Sequence, residues 1–119
     1  MAKLNETIAS TNYDNLFIDS NPPADVVAVK LAAGTFKRGA VITGTAGGNL
    51  ATLNAAISNE NATYVLCDDV VAEAGEVSFA YRTGHFNKGA LVTEGYEITP
   101  ADVEALRRAG ILVSEAMEY

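Results

Sequence analysis

Two side chains suited to nucleophilic or acid–base chemistry occur once each, Cys67 and His85. A thiolate–imidazole pair needs the two within hydrogen-bonding reach. Cys67 closes the apolar run Tyr64-Val65-Leu66-Cys67, a setting that buries a thiol and keeps it protonated. His85 follows Gly84 in a turn-like segment, which points to an exposed ring rather than a catalytic one. Asp68, Asp69, Glu73 and Glu76 form the densest acidic stretch. They lack the alternating ligands and central glycine of a calcium loop, so a solvated turn is expected there. Gly44-Thr-Ala-Gly-Gly48 has the glycine content of a phosphate loop but no Lys-Ser/Thr after it, and reads as a hairpin end. Asn5-Glu6-Thr7 and Asn61-Ala62-Thr63 fit the glycosylation pattern, which has meaning only for a secreted chain, and the N-terminus shows no apolar leader. No zinc spacing, Ser-His-Asp set or catalytic carboxylate pair emerges, so the expectation is a non-enzymatic protein with no metal and no cofactor.

These groups must be positioned by a single domain, since 119 residues rarely enclose two cores. Fifteen acids against eight bases give a net charge of −7, which would repel a phosphate backbone and argues against nucleic acid as a partner. No run approaches the roughly 18 apolar residues of a membrane span, and one cysteine cannot form an internal disulfide. Synthesis and folding in a cytoplasm is the expectation.

Residues 1–23 are rich in Asn, Ser, Thr and Asp, carry one base against three acids, and end in Asn21-Pro22-Pro23. Such composition buries too little surface to offset the entropy of ordering, so a flexible arm is expected, followed by a β domain over 24–119. Yet the arm holds Leu4, Ile8, Tyr13, Leu16, Phe17 and Ile18. A solvated tail has little use for them, and they are the candidate partner-binding residues, by strand addition to a partner's sheet.

Beyond Pro23, Val27, Val29 and Leu31 alternate with Ala28, Lys30 and Ala32, the period of a half-buried strand. Val77, Phe79, Tyr81 and Thr83 alternate with Ser78, Ala80 and Arg82 in a second strand after a turn at Gly75. One helix is predicted: Thr99 as N-cap, Pro100 at the first position, Asp102 as the capping-box acid, Val103 and Leu106 inward, Glu104 positioned to pair with Arg108, and Gly110 as terminator. A strand from Ile111 to Val113 follows. An internal echo links the two halves: Gly34-Thr-Phe-Lys-Arg-Gly-Ala-Val-Ile-Thr43 recurs as Gly84-His-Phe-Asn-Lys-Gly-Ala-Leu-Val-Thr93 with five of ten positions identical. It predicts two similar ribbon corners, each turning at a glycine with positive φ.

The order of these segments resembles the lambda-type head decoration, or capsid cement, proteins of tailed phages. Leu31-Ala-Ala-Gly-Thr-Phe-Lys-Arg-Gly-Ala-Val-Ile is similar to the family's early ribbon and Tyr64-Val-Leu-Cys-Asp-Asp-Val to a later strand. Phe79-Ala-Tyr-Arg-Thr-Gly-His-Phe-Asn-Lys-Gly-Ala-Leu is similar to its most recognisable segment, and Leu106-Arg-Arg-Ala-Gly-Ile-Leu-Val to its ending. Together these cover about three quarters of the chain, everything after the arm. The resemblance implies a mainly β, β-clip-like fold or small incomplete barrel with one short C-terminal helix and a mobile N-terminal arm. It also implies a homotrimer on the outer surface of the virion capsid, made in the bacterial host cytoplasm and bound to the major capsid protein through the arm, with neither nucleic acid nor membrane as a partner. The chain departs from the family's best-known member in lacking tryptophan and in its longer C-terminal helix and strand. The first ribbon is also similar to a wider β-clip group, which leaves open a sugar- or small-ligand-binding module with Phe36, Phe86 and Tyr81 as candidate groove aromatics. A pyrophosphatase-like enzyme on a related trimeric fold would need metal-binding acids and phosphate-binding turns, and neither is evident.

Overall fold

The alternation at Val27, Val29 and Leu31 does build a strand. In the computed structural model, which describes residues 16–19, 23–57 and 62–115, it is the second of nine. In chain order these are β1 (Phe17–Asp19), β2 (Asp25–Leu31), β3 (Gly34–Phe36), β4 (Val41–Gly44), β5 (Asn49–Thr52), β6 (Ala62–Leu66), β7 (Val70–Ala72), β8 (Glu76–Asn87) and β9 (Ile111–Ser114). A 3₁₀ turn, Lys88–Ala90, follows β8, and the helix α1 spans Pro100–Arg108. The protein is mainly β, with one short helix near the C-terminus.

β8 organises the sheet because it is twelve residues long and pairs along both edges. It meets β2 over residues 76–83 and β6 at Ala80 and Tyr81. Further along, Phe86 lies between Phe17 of β1 and Val113 of β9. The path β8–β2–β5–β4–β6 returns to β8, so the sheet curls into a small, partly closed barrel. Closure is thin, since β2 and β5 share two residue pairs and β6 and β8 share two. β3 and β7 form a separate antiparallel ribbon. Inside the barrel sits a core that includes Val29, Leu31, Phe36, Ile42, Leu50, Leu66 and Ala80. A second core gathers Leu16, Val65, Phe86, Leu106 and Ile111, and a third joins Val41, Leu53 and Ile98.

β8 serves two of these cores through one irregularity. Asp25 and Val26 of β2 face Thr83 and Tyr81, so Arg82 is an extra residue and the strand bulges there. Before the bulge, Ala80 is wholly buried and points into the barrel while Phe79 and Val77 face out. After it, Gly84 and Phe86 carry that outer face into the second core. The apolar side chains at 77 and 79 therefore lie on the outer face and the smaller Ser78 and Ala80 on the inner one. The strand also runs four residues past the expected Thr83. Gly84 permits this at φ +149, where a Cβ would stand 3.0 Å from the Phe86 ring and 3.2 Å from Phe17.

The expected arm needs a correction. Residues 1–15 and 20–22 of it lie outside the described residues, but Leu16, expected outside the core, is only 1% exposed and packs with Phe86, Leu106 and Ile111. Phe17 sits 4.9 Å from the Phe86 ring and 5.0 Å, edge-on, from Tyr81. The Asn87 amide donates to the Leu16 carbonyl at 2.7 Å, and Phe17–Asp19 pairs with β8. The apolar run Leu16-Phe17-Ile18, expected to meet a partner, instead finds a complementary wall within the domain, and burying it offsets the cost of ordering it.

The helix matches its local signals. Thr99 Oγ1 accepts from the Asp102 amide at 3.2 Å and the Asp102 carboxylate accepts from the Thr99 amide at 2.9 Å, a complete capping box with Pro100 at the first position. Arg108 ends the helix and Gly110 follows at φ +100. Glu104 pairs with Arg107 rather than the expected Arg108; three- and four-residue spacings are both neighbours on a helix face. The two echoed segments lie side by side. Ala40 and Val92 form a parallel bridge, the Val41 amide donates to the Val92 carbonyl at 2.9 Å, and the Val92 amide donates to the Gly39 carbonyl at 2.9 Å. Gly39 turns at φ +90 with the Ala90 carbonyl 2.7 Å from where a Cβ would be. The second copy instead turns through the 3₁₀ segment, where Asn87 Oδ1 accepts from the Gly89 amide at 3.1 Å.

Candidate interaction surface

The groups with chemical potential do not converge. Cys67 is buried, and burial pushes its thiol above the ordinary range despite a hydrogen bond with Tyr81. Its neighbours come from the first echoed turn. Arg38 Nη1 donates to the Cys67 carbonyl at 2.6 Å and to the Tyr81 hydroxyl at 3.1 Å, the guanidinium lies 5.8 Å from the Tyr81 ring centre, and the Arg38 amide donates to Asp69 Oδ1 at 2.7 Å. Burial also raises the Tyr81 phenol. His85 faces the other end of β8, with Nε2 2.8 Å from Ser114 Oγ. A raised thiol with an arginine-capped tyrosine beside it is built for packing, because nucleophilic attack needs the thiolate. The sequence marks Arg38 only as the base that both echoed turns carry at this place, Arg38 and Lys88, and not as a partner of Cys67 and Tyr81.

The acidic stretch is tied into turns. Asp69 caps the Arg38 amide, and Glu76 Oε1 accepts from the Glu73 amide at 3.0 Å. Among the described residues no three His, Cys, Asp or Glu side chains come together to hold a metal ion, and no helix is long and apolar enough to cross a membrane. Among the described residues the most enclosed carboxylate is Asp102, 2% exposed. Besides the cap it accepts from the Ile57 amide at 2.9 Å, from Thr99 Oγ1 at 2.9 Å and from the Tyr96 hydroxyl. Burial opposes its charge, but the donors from Ile57, Thr99 and Tyr96 outweigh that and hold the carboxyl below the ordinary carboxylate range. The same bond raises the Tyr96 phenol. Asp102 thus fastens three segments together, a structural task.

What the surface offers instead is apolar. Val77 is 59% exposed, Phe79 57% and Val26 48%. Val26 faces Tyr81, Ala28 faces Phe79 and Lys30 faces Val77 across β2 and β8, so these side chains share the outer face of the sheet. Past the bulge the same face of β8 is covered by Leu16, Phe17 and α1; among the described residues nothing covers Val77 and Phe79. Charged residues border the patch, Lys30 and Glu76 towards one end and the Asp25–Arg82 ion pair at the other. A contiguous exposed apolar patch with a polar rim is the mark of an interaction site.

Of the expected partner-binding residues, Leu4, Ile8 and Tyr13 lie outside the described residues. Leu16 is consumed by the core, Phe17 is half-buried on the Phe86 and Tyr81 rings, and Ile18 is half-buried in β1. Of the groove aromatics suggested for a ligand-binding module, Tyr81 and Phe86 lie 5.8 Å apart between ring centres, but Phe36 does not join them. Phe36 is buried inside the barrel and Phe86 in the second core. Compared with protein-family models the chain matches none, and a comparison with curated proteins likewise finds no match.

Proposed function

We propose that this protein is a structural component of a tailed-phage virion, binding as a homotrimer to the outer surface of the capsid and stabilising the expanded head. The observation that carries the reading is the apolar face at Val26, Val77 and Phe79, exposed among the described residues, on a small domain in which Arg38 and Asp102 serve packing and capping. The order of segments that resembles the decoration family adds to it, and the mainly β fold with a C-terminal helix is compatible with that family.

In this reading the apolar face meets other copies, because a small β domain gains stability by covering exposed sheet surface with a partner. Residues preceding β1 reach the major capsid protein, with Leu4, Ile8, Tyr13 and the half-buried Ile18 as contacts. Leu16 and Phe17 act as the anchor that fixes where this segment leaves the domain. Three arms per trimer add weak contacts through effective concentration. Cryo-electron microscopy of expanded capsids, with and without the protein, is the test. Added density at local three-fold positions is the expected outcome; bare capsids at saturating protein would refute the reading.

A further inference from the structure

β2 has an incomplete edge. Lys30 and Leu31 pair with Asn49 and Leu50 of β5. Residues 25–29 have β8 on one side and, among the described residues, no strand on the other. Backbone N–H and C=O groups of a strand point alternately to its two edges, so part of those in residues 25–29 face the open side. A cavity of about 330 Å³ adjoins the same stretch of β2, bounded by Val29 and Lys30, by Gly48 and Leu50 around the start of β5, by Tyr64 of β6 and by Val77. Gly48 contributes no side chain to fill it. Lys30 is the one charged residue in this lining. An unpaired edge asks for a strand, the cavity for an apolar side chain, and the lysine for a carboxylate.

We propose that the open edge of β2 and this cavity form a strand-addition site for an extended peptide of a partner protein. The peptide lays its main chain along residues 25–29, seats an aliphatic side chain in the cavity and brings an acidic side chain to Lys30. Main-chain hydrogen bonds supply affinity and the alternate side chains supply selectivity, the usual division in β-augmentation. A small apolar acid would satisfy the cavity and Lys30 but leave the backbone groups of β2 unmet. The site borders Val77 of the face proposed to meet other copies, but it uses none of the residues before β1, so it and capsid attachment through those residues can fail separately.

The test uses the full-length protein, isotope-labelled for amide NMR, titrated with acetyl-Thr-Leu-Thr-Glu-Thr-amide and with the same peptide carrying Lys in place of Glu. Leucine and the charged residue then share one face of the added strand. The expected result is shifts and slowed hydrogen exchange at alternate amides of residues 25–29, with the Glu peptide binding about fivefold more tightly, the scale of an exposed ion pair. Lys30→Glu, at an exposed position, should invert that preference, and Gly48→Leu should weaken both peptides by narrowing the cavity. If Gly48→Leu fails to fold, the charge inversion alone decides. No shift at the solubility limit, equal binding of both peptides, or octanoate reproducing the shifts without exchange protection would each overturn the proposal.

Discussion

Removing residues 16–19 should nearly unfold this protein. The informative comparison is between a chain beginning at Leu16 and one beginning at Ser20, because their difference isolates β1. Leu16 is 1% exposed among Phe86, Leu106 and Ile111, and losing a buried leucine side chain costs about 2–5 kcal/mol. Phe17 makes two aromatic contacts, at 4.9 and 5.0 Å, each contributing about 0.5–1.5 kcal/mol beyond area burial. The Asn87 amide loses its Leu16 carbonyl acceptor, about 1 kcal/mol more. The total is about 6 kcal/mol, comparable to the whole stability of a domain with about 5–15 kcal/mol to spare. Thermal and urea melts followed by circular dichroism should show the midpoint falling by about 20 °C, or the transition disappearing. In the full chain, Leu16→Ala should reproduce about 3 kcal/mol of the effect. If the chain beginning at Ser20 melted within about 1 kcal/mol of the longer one, a typical point-mutation effect, β1 would be a loosely applied strand and the second core would close without it.

Thr99→Ala should cost about 1 kcal/mol in urea melts through loss of the cap. Asp102→Asn should cost more, and its deficit against wild type should depend on pH. The folded-state pKa of Asp102 lies below its unfolded value, so its stabilisation is fully present above the unfolded value, about 3.9, and is lost as pH falls through the folded one. The deficit should be constant above about pH 5 and shrink below about pH 4; a deficit that grew in acid would show that the sign is wrong. Phe79→Ser should leave the melting of the domain within about 0.5 kcal/mol, as for an exposed site, while reducing oligomer in light scattering at micromolar concentration; unchanged oligomer would place self-association elsewhere. Cys67 should react with a disulfide reagent at pH 8 far more slowly in the folded protein than in urea, since burial raises its thiol.

The elements readable from sequence are those whose determinants sit within a few residues of one another. Thr99, Pro100 and Asp102 start the helix through bonds spanning three positions, and Val27, Val29 and Leu31 define the inner face of β2 by simple alternation. The echo around Phe36 and Phe86 was visible as repeated residues. Tertiary structure alone decided that the two echoed segments bridge each other at Ala40 and Val92, that Arg38 caps Tyr81 and the Cys67 carbonyl, and that Asp102 reaches back 45 positions to Ile57. It also decided that Leu16 and Phe17 join the second core and which face of β8 is exposed. Leu16 has no local reason to be ordered until α1 and β9 supply the wall it packs on. Val77 and Phe79 look like core residues until the bulge at Arg82 and the small Ala80 turn the other face inward. Each of these depends on partners brought close only by closure of the sheet, which local spacing does not encode.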